Sequence, residues 1–137
     1  MRSSKSILLV EDDQVDAMTV KRALKEIKVT NTLNIVKDGE QALAFLKNSD
    51  NDTPGIILLD LNMPRMNGIE FLKIAKKNEN IKKIPVVVLT TSRDEQDKVD
   101  SFNFGVAGYM IKPVGYQKFI EVIKTIDLYW TLSELPD

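Results

Sequence analysis

Residues 55–64 read GIILLDLNMP, and one charge in that run decides how the rest of the chain is read. Ile56–Leu59 are consecutive aliphatic residues, the composition of a strand covered on both faces. The run then ends on a carboxylate, Asp60, with a second apolar stretch close behind. A charge at the lip of a core costs free energy unless something compensates it. Asp60 therefore calls for a role and a counter-charge.

Working outward, the same kind of run recurs at Ser6–Val10, Leu33–Val36, Pro85–Leu89 and Gly108–Ile111. Short, β-branched runs of this kind read as strands. Helical spacing lies between them: Ala17, Val20, Leu24 and Ile27; Ala42, Leu43 and Leu46; Ile69, Leu72 and Ala75; and, more weakly, Asp94–Phe104 and Tyr116–Leu132. Regular alternation of strand and helix predicts an α/β fold, a doubly wound parallel sheet with helices on both faces. Ligands of such sheets bind beyond the carboxyl ends of the strands. The residues at those ends are Glu11-Asp12-Asp13, Asp60, Thr90-Thr91 and Lys112-Pro113.

Composition removes many alternatives. The 137 residues suit one domain, and 19 Lys and Arg against 20 Asp and Glu offer no basic excess for nucleic acid or a membrane surface. Absence of cysteine excludes disulfides and thiolate chemistry, and absence of histidine removes the usual general base and zinc ligand. Met1–Ser6 is too short and polar for a signal peptide, so the expected setting is the cytoplasm. The charged run KKNENIKK, residues 76–83, reads as a solvated helix end and loop.

Taken singly, each strand-end residue has an innocent account. Asp13 suits a helix cap, Lys112 an ion-pair partner, and Thr90 and Thr91 a strand end. Taken together, Glu11, Asp12 and Asp60 concentrate more negative charge than one lysine balances. A hard divalent cation resolves this, since Mg²⁺ accepts a few carboxylates, a carbonyl and waters. Acids, a cation and an ammonium are also what a site needs to receive a phosphoryl group.

The segments ILLVEDD, LLDLNMPRMNG, VVVLTTS and GYMIKP closely resemble the response-regulator receiver domain, the CheY-like half of two-component signalling. The resemblance spans essentially the whole chain. It implies a flavodoxin-like sheet of order 2-1-3-4-5 and a phosphoacceptor at Asp60 served by a histidine kinase. Asp12, Asp60 and the Asn62 backbone carbonyl would be ligands of Mg²⁺, or of Mn²⁺ in its place, with Glu11 acting through a water. Thr90 and Lys112 would meet the phosphoryl group, and Tyr109 would turn inward after the threonine moves. Pro64 and Gly68 match the family's loop, and the Lys112–Pro113 bond is expected to be cis. Such a protein catalyses its own phosphorylation and dephosphorylation and is not a dedicated enzyme. Two positions depart from the common pattern: Val114, where many receivers carry Phe, and Thr91, whose bulk could narrow access to Asp60. KPV and the terminal YWTLSELP are similar to a narrower group, the stand-alone regulators paired with bacterial phytochrome kinases.

Rival readings fit less well. A haloacid-dehalogenase-type phosphatase needs a second Asp where Asn62 stands. A flavodoxin-like carrier needs a hydroxyl- and glycine-rich loop where EDDQVD stands. A receiver lookalike that binds partners without phosphorylation would not need the full set of acids, Thr90 and Lys112.

The chain reads as a single receiver domain over 1–137, with the core fold complete by about residue 130 and an extension over about 131–137. No span remains for an effector, so output is expected through docking, relay to a histidine phosphotransfer protein, or self-association. On a helical wheel of roughly 100° per residue, Phe119, Val122, Ile123, Ile126 and Trp130 share one arc. Leu128 and Leu132 fall opposite, Tyr129 sits at the edge, and Leu135 extends the apolar surface. A homodimer through this face is the expectation.

Overall fold

The computed structural model describes residues 4–133. These form strands β1 Ile7–Val10, β2 Leu33–Val36, β3 Ile56–Leu59, β4 Val86–Thr90 and β5 Gly108–Ile111. The helices are α1 Gln14–Glu26, α2 Gly39–Lys47, α3 Gly68–Ala75, α4 Glu95–Asn103 and α5 Tyr116–Leu132. The sheet is parallel throughout, in the order β2-β1-β3-β4-β5, as the sequence predicts.

Strand β1 lies inside the sheet and both neighbours pair along its whole length, Ile7 with Leu33 and Ile56, Val10 with Val36 and Leu59. The twofold alternation of side chains divides each central strand between two cores. Leu8, Val10, Ile57, Leu59 and Val88 join Leu43, Phe71 and Leu72 on the α2–α3 face. Ile7, Leu9, Ile56, Leu58 and Leu89 join Val20, Leu24, Ile123 and Trp130 on the α1–α5 face. Coverage on both faces is why β1 and β3 are apolar throughout and β4 is apolar up to its last residue, Thr90. Expected strand limits shift by a residue at two starts and one end: β1 begins at Ile7, and β4 runs from Val86 to Thr90 where Pro85–Leu89 was expected. Pro85 has no N–H and contributes only its carbonyl, which accepts the Ile57 N–H at 3.0 Å.

Helix α5 buries Phe119, Ile123, Ile126 and Trp130, and also Ile120, which the wheel did not place inside. Val122 is half-buried. Trp130 fills the space beside Gly55, where an added Cβ would come within 2.4 Å of the indole. The last turns of α5 are thus seated under the start of β3. Leu128 and Leu132 are 58% and 71% exposed, Tyr129 is half-buried, and Leu135 lies outside the described residues. Among the described residues no helix is long and apolar enough to cross a membrane.

Candidate functional site

Strands β1, β3 and β5 each hand their successor residue to a neighbour's backbone, and this fixes the site. The Glu11 N–H donates to the Val36 carbonyl (2.9 Å), that of Asp60 to Val10 (3.0 Å), and that of Lys112 to Thr90 (2.8 Å). The strand-end side chains therefore converge at one edge, where β1 and β3 carry the acids and β5 the lysine. Asp13 caps α1 by accepting the Asp16 N–H at 3.0 Å, the structural role expected of it. Gly68 lets α3 start hard against β3, since a Cβ there would lie 2.6 Å from the Asp60 carbonyl oxygen and 2.8 Å from Leu61 Cα.

Carboxylate oxygens of Glu11, Asp12 and Asp60 lie within 4.8 Å of one another. Glu11 and Asp60 are buried, at 2% and 5% exposure, and Asp12 faces solvent. Lys112 Nζ donates to Glu11 Oε1, donates to Asp16 Oδ2 at 3.0 Å, and stands 4.0 Å from Asp60 Oδ2. Asp60 Oδ1 is buried with no hydrogen-bond partner among the described residues. One ammonium thus faces three carboxylates, Glu11, Asp16 and Asp60, with Asp12 a further acid close by, and the buried Oδ1 of Asp60 is left unsatisfied among the described residues. An arrangement short of cationic charge, with a buried oxygen free, fits a hard divalent cation.

The electrostatics follow from burial. Desolvation is the largest influence on Glu11; the Lys112 hydrogen bond opposes it and the Asp60 charge reinforces it, so the carboxyl is raised from 4.5 to about 7. For Lys112 burial acts downward, but the hydrogen bond to Glu11 and the charges of Asp60 and Glu11 outweigh it, and its pKa rises above the ordinary value. Lys112 therefore stays an ammonium throughout the range in which Glu11 titrates.

Thr90 is fully buried, and its Oγ1 accepts the Ser92 N–H at 3.2 Å. The Tyr109 hydroxyl donates to the Ser92 carbonyl at 3.0 Å, and the half-buried ring packs on the α2–α3 core. Ser92 Oγ donates to Asp97 Oδ2 in the first turn of α4 at 2.6 Å. Thr90, Tyr109 and α4 thus meet at one residue. Thr91 and Asn62 are exposed.

Sequence reasoning erred on one point of geometry and missed several partners. No peptide bond among the described residues is cis, so Lys112–Pro113 is trans. The Lys112 side chain reaches Glu11 and Asp16 without the bend a cis bond would supply, and trans is the favoured isomer of X–Pro. Asp16 was not singled out, because an acid in the first turn of a helix reads as a dipole partner; its place one turn after Asp13 was the available signal. Ser92 and the Asp38–Arg65 ion pair (3.2 Å) carry no motif of their own.

Comparison with known proteins agrees with this geometry. The response regulator receiver domain family matches residues 7–124. The response regulator Rcp1 of Synechocystis sp. is 38% identical over 130 residues, covering 92% of this chain and 88% of Rcp1. The chemotaxis protein CheY of Pseudomonas aeruginosa is 32% identical over 120 residues, covering 88% of this chain and 94% of CheY. Among solved structures, the phosphorylated cyanobacterial phytochrome response regulator RcpA superposes with TM-score 0.92 at 34% identity, covering 98% of this chain and 100% of RcpA. The Mn²⁺-bound form of Rcp1 gives TM-score 0.88 at 38% identity, covering 97% and 99%.

Proposed function

The chain belongs to the response regulator receiver family of two-component signalling, and we propose that it accepts a phosphoryl group on Asp60 from a sensor histidine kinase in the cytoplasm. The observation that carries this reading is Asp60 itself, a buried carboxylate whose Oδ1 has no hydrogen-bond partner among the described residues, beside two other acids and an ammonium. An oxygen of Asp60 attacks the phosphorus of the donor. The P–N bond to the donor imidazole breaks, its electron pair leaves on nitrogen, and that nitrogen takes up a proton. Lys112, held as an ammonium, offsets charge on the transferred group, and Thr90 supplies a hydroxyl donor. Asp12, Asp60 and the Asn62 carbonyl would hold Mg²⁺, with Glu11 acting through a water and Mn²⁺ as a substitute. When bound, the cation supplies positive charge to the phosphoryl oxygens. No separate substrate is turned over, so the protein is a self-modifying switch and not a dedicated enzyme.

The likeness to RcpA and Rcp1 supports a phytochrome-type kinase as the phosphoryl donor. A histidine phosphotransfer protein is a second route for the group. Exposed Leu128 and Leu132, with Tyr129 at the margin, support a homodimer through α5. Acetyl phosphate with Mg²⁺, read by intact mass, tests the assignment. One added phosphoryl group in the wild type and none in Asp60→Asn is the expected result; uptake by the Asn variant contradicts it.

A further inference from the structure

The loop that follows Asp60 is held at both ends, and one of its anchors lies on a different element. At its far end the Gly68 N–H donates to the Leu61 carbonyl at 3.0 Å, and Asn67 and Glu70 cap α3 reciprocally. Its middle is pinned to the start of α2. The Gly39 N–H donates to the Met66 carbonyl at 2.9 Å, and Met66 occupies the space a Cβ on residue 39 would need, 2.6 Å away. Beside this contact Arg65 Nη1 donates to Asp38 Oδ2 at 3.2 Å, while Asp38 Oδ1 accepts the Gln41 N–H at 2.9 Å.

Two features make this pair more than a surface ion pair. Asp38 is only 1% exposed, although Arg65 is 66% exposed; the guanidinium covers Asp38 Oδ2, while Oδ1 keeps the Gln41 N–H as its own partner. Arg65 also sits at φ 61°, a left-handed conformation that glycine adopts freely and arginine does not. A backbone held there persists where its surroundings impose it. A helix cap alone would need Asp38 but neither Arg65 nor its backbone geometry.

We infer that Asp38 and Arg65 are positioning residues: their ion pair clamps loop 61–67 to α2, holds the Asn62 carbonyl in register with Asp60, and thereby sets divalent-cation affinity. This rests on the reading of Glu11, Asp12, Asp60 and Asn62 as the cation site. Neither residue was drawn into that site by the sequence, because Arg65 and Asp38 are far apart in the chain and no spacing rule joins them.

Mn²⁺ binding by the whole chain, followed through the free-ion electron paramagnetic resonance signal, tests the clamp alongside melting in chelator. Arg65→Gly removes the side chain while suiting φ 61°, and Asp38→Asn removes the charge while keeping an N-cap. Each should weaken Mn²⁺ binding by about tenfold, the scale of an outer-sphere loss. Arg65→Lys should recover part of that, and the double variant should bind no more weakly than the weaker single. Arg65→Gly should melt in chelator close to the wild type. Wild-type affinity in both single variants, additive losses in the double, or weakening that merely tracks melting temperature overturns the clamp. Asp60→Asn is the control. If it binds Mn²⁺ like the wild type, the reading of the site falls and the clamp with it; if it loses Mn²⁺ while both clamp variants retain it, the clamp alone fails.

Discussion

Glu11 illustrates what burial does to one residue at this sheet edge. Its carboxyl titrates near 7, against 4.5 in the ordinary case, so the folded state holds a proton that the unfolded chain has released. The metal-free protein is then favoured most below the unfolded value and loses that contribution as pH rises towards 7. Linkage caps the loss at about 3 kcal/mol. Lys112 shifts upward from 10.5 and acts only above that range. Melting in chelator should fall across the interval, and saturating Mg²⁺, which needs ionised carboxylates, should flatten or reverse the slope. A metal-free profile rising steadily with pH contradicts the account. Asp60→Asn removes a neighbouring charge, so its metal-free stability at neutral pH should equal or exceed that of the wild type; a loss of several kcal/mol would show that the carboxylate is needed for packing. At this scale Glu11, Asp12, Asp60 and Lys112 were legible because strand ends of a parallel sheet converge. Asp16 was not, since its part depends on which way the lysine side chain runs, and the trans bond before Pro113 departs from what the family resemblance implies.

Among the elements, α3 and the β4–α4 connection have the clearest consequences. Gly68 brings the N-terminus of α3 against rigid backbone at Asp60 and Leu61. Gly68→Ala should cost about 1–3 kcal/mol by overpacking and displace Asp60, so phosphoryl uptake should fall with stability; an Ala variant with native melting and uptake would show that the contact yields. Strand β4 ends in Thr90, from which Ser92 links Tyr109 and α4. Phosphorylation of Asp60 should draw the Thr90 hydroxyl inward and change the face formed by α4, β5 and α5. A full swing from mostly inactive to mostly active needs about 5.5 kcal/mol of preference. Thr90→Ala should therefore still take up the phosphoryl group but show weak changes at Tyr109 by NMR; wild-type shifts would break the coupling. Elements were legible almost to the residue where both faces are covered, as in β3. They blurred at Ser6 and Pro85, where the hydrogen-bond ladder and not hydrophobicity decides the boundary.

For the whole molecule, the two-sided core explains why the chain folds as the strand–helix alternation predicts, while the proposed dimer rests on exposed Leu128 and Leu132. Leu128→Glu with Leu132→Glu should abolish the proposed dimer in sedimentation without altering phosphoryl uptake. A wild type that stays monomeric at high concentration, with and without beryllofluoride, ends that proposal. Asp60 as the sole phosphoryl acceptor is the central claim. Its most direct measurement is peptide mass mapping after exposure to a phosphorylated histidine kinase and Mg²⁺. The account predicts one phosphoryl group, on the peptide containing Asp60, absent when Asp60 is Asn and when Mg²⁺ is chelated. A phosphoryl group on another residue of the wild type, or unchanged labelling of the Asn variant, would contradict it.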